Sequence, residues 1–61
     1  MNYRIQDREA GNVIEYFETL REAQQVLYRY EREDKEAGNY TEDFYEIAVL
    51  VDGQWIPTHK L

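Results

Sequence analysis

Few side chains in this sequence are equipped for covalent chemistry. It has no serine and no cysteine, so the common hydroxyl and thiol nucleophiles reduce to Thr19, Thr41 and Thr58. Thr19 is better explained as a helix cap, and Thr41 falls in a polar loop. Thr58 stands next to His59, the only histidine. Two adjacent residues in a frayed tail do not hold the geometry of a nucleophile and its base. The residue types therefore predict a protein that catalyses nothing.

Carboxylates are abundant, but their spacing is unhelpful for metals. Asp34, Glu36, Glu42 and Asp43 lie near Gly38, yet a calcium loop needs ligands at alternate positions around one glycine. No His or Cys pair occurs at zinc spacing. Three glycines, far apart, form no phosphate-binding loop. A glycosidase pair of acids needs a cleft that a chain of 61 residues is too short to build well. No metal and no cofactor is expected.

The formal charge of -6 repels phosphate backbones, which disfavours direct nucleic-acid binding and favours a basic partner. One run concentrates the acids: Glu31, Glu33, Asp34 and Glu36, followed by Glu42 and Asp43. On a helix end they can imitate a row of phosphates and fill the basic groove of a nucleic-acid enzyme. The interleaved Arg32 and Lys35 favour an ordinary solvated face instead.

These residues need a scaffold, and the hydrophobic pattern supplies one. Tyr3 and Ile5 alternate with polar neighbours, as in a strand. Asp7 to Asn12 is a polar hairpin loop around Gly11. Val13 to Phe17 is the return strand. Val13, Glu15 and Phe17 share one face and Ile14 and Tyr16 the other, an ambiguous register that admits a bulge. Thr19-Leu20-Arg21-Glu22 fits a capping box. Leu20, Ala23, Leu27 and Tyr30, with Val26 beside them, then make one apolar helix face. Gly38 is placed to end that helix, which is predicted to run from about Leu20 to Ala37, roughly 27 Å. Glu31 and Lys35 are spaced to pair along it.

Phe44 to Val51 is the strongest strand, with Tyr45, Ile47, Val49 and Val51 on one face. Asp52-Gly53 signals a tight hairpin, making Gln54-Trp55-Ile56 a candidate short fourth strand before Pro57. The fold class expected is a single α+β domain, with a three-stranded antiparallel sheet and one long amphipathic helix on one face. The simplest strand order is 2-1-3; parallel pairing of the second and third strands is the alternative. Residues 58–61 are expected to fray, and the sheet face away from the helix to be bare.

Two surfaces stand out as candidate interfaces. Arg21, Gln25, Tyr28 and Arg32 project from the outer side of the helix, and a tyrosine between arginines is typical of interface composition. Alternatively, Tyr28 lies flat under the arginine stems. Tyr16, Tyr40 and Trp55 exceed what the helix-facing core needs. They can line the bare sheet face and anchor a protein partner or a second copy of the chain, or curl over the sheet edge to complete the core.

Several of these segments resemble small uncharacterised proteins of bacteriophages and mobile elements in Gram-positive bacteria. The resemblance rests on Arg4-Ile5-x-Asp7, Gly11-x-Val13-Ile14-Glu15-x-Phe17, Glu22-Ala23, Tyr30-Glu31-x-Glu33-Asp34-Lys35 and Asp43-Phe44-Tyr45-Glu46-Ile47. It implies no activity and no catalytic residue. It does imply an accessory protein that acts by binding. The expected function is a non-enzymatic protein-interaction module; the alternative is an acidic mimic of nucleic acid that inhibits a host enzyme. The longest apolar run, Ile47 to Val51, is too short to cross a membrane, and no signal-peptide pattern opens the sequence. A cysteine-free chain suits the cytoplasm.

Overall fold

The computed structural model describes residues 1–61. Four strands and one helix follow in the order β1 (Tyr3–Asp7), β2 (Val13–Phe17), α1 (Leu20–Ala37), β3 (Tyr45–Val51) and β4 (Gln54–Pro57). A 3-10 turn, Thr58–Lys60, closes the chain. All pairings are antiparallel and the sheet order is β2-β1-β3-β4. The candidate fourth strand is formed, and it extends the expected 2-1-3 order by one.

The helix has the bounds read from the sequence. Thr19, in extended conformation, accepts from the Glu22 backbone N–H at 3.2 Å. Its hydroxyl also donates to the Glu22 carboxylate at 3.0 Å. Glu22 therefore reaches back to the cap side chain rather than to the cap's own N–H. Gly38 takes φ 78, the left-handed conformation, and its N–H bonds the carbonyls of Asp34 and Lys35. Arg29 pairs with Glu33 at 3.9 Å; Lys35 places its ammonium 4.6 Å from the centre of the Tyr40 ring, instead of pairing with Glu31.

The register decides which side chains meet the helix. Ile5 faces Glu15 on one side and Ile47 on the other, whereas Gln6 faces Val13. One residue is thus extra on β2, and Ile14 forms a bulge. The bulge turns Val13 to the same face as Tyr16, correcting the simple alternation that groups it with Glu15 and Phe17. Ile5, Phe17, Ala23 and Ile47 form the buried core, packed by Tyr3, Leu20, Val26, Leu27, Tyr30 and Tyr45. Ala23, fully buried, lets the helix approach the sheet closely. Two tyrosines join the layers at their polar ends. The Tyr30 hydroxyl donates to Glu15 at 2.6 Å, and the Tyr45 hydroxyl donates to Asp34 at 3.0 Å.

Candidate interaction face

The second face of the sheet is not bare. Along β1 the side chains of Arg4 and Gln6 point away from the helix, opposite Ala48 and Glu46 of β3. The Arg4 Nε donates to the Gln6 side-chain oxygen at 2.7 Å. The Gln6 amide donates in turn to Glu46 at 2.5 Å. Glu46 is only 8% exposed, and its second oxygen has Arg8 Nε and His59 Nδ1 each at 3.7 Å. Burying a carboxylate is costly unless partners compensate it, and here the Gln6 amide donates to one oxygen while the Arg8 guanidinium lies beside the other.

His59 is held there by the last turn, so the frayed tail expected from sequence is corrected. Pro57 ends β4 opposite Ala48, and the Thr58 hydroxyl donates to the Ile47 carbonyl at 3.1 Å. That bond ties the chain end to β3. It also occupies the hydroxyl that would have to act in a Thr58–His59 pair. Thr19 is likewise occupied as a helix cap.

At the other end of the same face the side chains are aromatic. Tyr16 of β2 and Trp55 of β4 lean toward each other across the two central strands, with ring centres 5.7 Å apart. The Arg4 guanidinium lies 4.5 Å above the Trp55 ring. Ala48, fully buried, occupies the strand position between Arg4 and Pro57 and leaves room for the rings to meet. Tyr16 remains 47% exposed, and Val13 and Ile14 beside it are also exposed. Tyr16 and Trp55 thus line the outer face and take no part in the core between sheet and helix. Tyr40 does not join them, because it sits by the helix end under Lys35.

All four residues of the helix stripe, Arg21, Gln25, Tyr28 and Arg32, are exposed. Tyr28 is 68% exposed and does not lie flat under arginine stems. Arg21 and Arg32 are exposed with it. Gln25 also lines a groove of about 470 Å³ between β2 and α1, with Glu15, Phe17, Glu18, Glu22 and Val26. Of the acidic run, Glu33, Glu36, Glu42 and Asp43 are exposed, Glu31 is half-buried, and Asp34 is engaged by Tyr45.

The Glu46 cluster was missed in the sequence. Its signal was apolar Ala48 and Leu50 at the outward positions of β3, where a solvated face would carry polar residues. No group of three or more potential metal ligands is gathered anywhere. No helix is long and apolar enough to cross a membrane. Comparison with protein-family models, with curated proteins and with solved structures finds no match to this chain.

Proposed function

We propose that this chain is a non-enzymatic interaction module that binds a protein partner through the Tyr16–Trp55–Arg4 cluster. One observation carries the reading: a half-exposed tyrosine, a tryptophan and an arginine are packed together on the sheet face away from the helix, at the end the last turn leaves open. Tyr, Trp and Arg are enriched among the residues that dominate protein interfaces; the rings offer large area on few rotatable bonds and the guanidinium a planar fork of donors. Mutual packing holds these three in place before a partner arrives. The resemblance to small phage and mobile-element proteins supports the same role, that of an accessory protein acting by contact in the cytoplasm.

The test is capture of a partner by the tagged chain, with and without duplex DNA. Trp55→Ala is expected to cost about 2 kcal/mol of binding or more, the range of interface hot spots. Glu9→Gln, on the exposed hairpin loop, is the control and is expected to change little. Equal binding by both variants would refute the aromatic face. Competition by duplex DNA for a basic enzyme would favour the acidic mimic instead. Tyr28→Ala reports separately on the helix stripe.

A further inference from the structure

The two edges of the sheet are unlike. At β4 the edge is short, ends in Pro57, which has no N–H to offer, and is followed by the turn anchored on Ile47. At the other edge, β2 has β1 as its only neighbour and contains no proline. Alternate backbone N–H and C=O groups of β2 therefore point outward without a strand to receive them. The bulge disturbs only its start. Glu15, Tyr16 and Phe17 form the regular stretch, and these three residues line the groove beside α1.

The groove has a definite chemistry. Its apolar lining is Met1, Phe17 and Val26, and its charged side chains are Glu15, Glu18 and Glu22 against the single guanidinium of Arg29, already drawn toward Glu33. A strand added beside β2 alternates its side chains between the two faces. Those on the helix side would enter the groove among the three carboxylates. Those on the other side would meet Val13 and Tyr16, both exposed and apolar in contact.

Resting on the interaction-module reading, we infer that β2 accepts an extended peptide segment of the partner by strand addition, and that this segment alternates cationic with apolar residues. The occupant is not a second copy of the chain. Two copies would bring together two charges of -6 and set Glu15 and Glu18 near their own kind.

The experiment uses the full chain and a synthetic octapeptide of alternating lysine and valine, followed through backbone amide shifts. Saturable shifts are expected in residues 13–18 and in the groove-lining part of α1, weakening as salt is raised. A peptide of alternating glutamate and valine is expected not to bind, nor is the lysine peptide N-methylated on alternate amides. Glu18→Lys combined with Glu22→Gln, which keeps the oxygen facing Thr19, should weaken binding on the order of tenfold. Binding of the methylated peptide, shifts centred on the acidic helix end, or β2 shifts that depend on protein concentration without peptide would each overturn the inference. So would an absence of shifts, and if Trp55-dependent capture of a partner persisted in that case, the module reading would stand without it.

Discussion

Gln6 and Glu46 are 40 residues apart in sequence and share a hydrogen bond of 2.5 Å on the sheet face away from the helix. Both are buried, 6% and 8% exposed. The bond couples β1 to β3 through side chains as well as through the ladder. Glu46→Ala leaves the Gln6 amide without its acceptor and Arg8 without its counter-charge. A loss of about 1–3 kcal/mol is expected in urea unfolding. Replacing both residues by leucine should recover part of it, since the buried amide is then no longer stranded, while Arg4 and Arg8 turn to solvent. A double variant no more stable than Glu46→Ala would show that the polar pair itself holds the sheet.

Thr19 accepts from the Glu22 N–H at the start of α1. Thr19→Ala is expected to lower stability by about 1 kcal/mol, and Thr19→Ser to be close to neutral, in thermal unfolding followed by circular dichroism. The two variants separate the cap hydrogen bond from the shape of the side chain.

At the β3–β4 turn, Asp52 has φ 51 and Gly53 has φ 79. Two successive left-handed residues make the mirror-image turn that fits the twist of a two-residue hairpin. Space is not the constraint at Gly53, because an added Cβ meets nothing within 4 Å. The cost of Gly53→Ala is therefore backbone strain, about 1–2 kcal/mol. The expected sign of disturbed pairing is faster hydrogen exchange in β4. A β4 protected as in the original chain would argue that tertiary contacts, not the turn, set this register.

Tyr30 and Tyr45 both hold their protons above the usual tyrosine range. For Tyr30 the first cause is its hydrogen bond to Glu15, with burial second; for Tyr45 burial leads and the bond to Asp34 follows. Folding favours the neutral phenols, so this stabilisation is complete below the unfolded tyrosine pKa of about 10. It is lost as pH rises through the higher folded values. Ultraviolet titration should resolve two late-ionising tyrosines among the six. Tyr45→Phe should remove one of them and flatten part of the alkaline loss of stability. An unchanged alkaline profile in Tyr45→Phe and in Tyr30→Phe would dissociate these bonds from stability.

The fold was legible wherever local pattern and tertiary need agreed. Leu20 to Ala37 carries a cap, an apolar stripe and a terminating glycine, and all three appear in place. The β2 register was open because Val13, Ile14, Tyr16 and Phe17 are all apolar enough for either face; the pairing with β1 resolved it through a bulge. The tail was misjudged for another reason. Thr58 and His59 have no local partner, and their anchors, Ile47 and Glu46, lie in β3. The same holds for the outer face: Arg4, Gln6 and Glu46 read as solvated residues until the strands bring them side by side. The parts of the candidate site named in advance, Tyr16 and Trp55, were found by surplus. The third member, Arg4, is recognisable only from the sheet order.

The buried carboxylate of Glu46 also constrains how larger assemblies can be built. A greasy layer stacked flat over the middle of the sheet would strip Glu46, Arg8 and His59 of their remaining water without supplying new donors. Growth by piling sheet on sheet is thereby penalised, while lengthening the ribbon at its flank leaves the charged cluster wet. One acid near the start of a central strand thus steers association sideways, toward the rim where the backbone is still open.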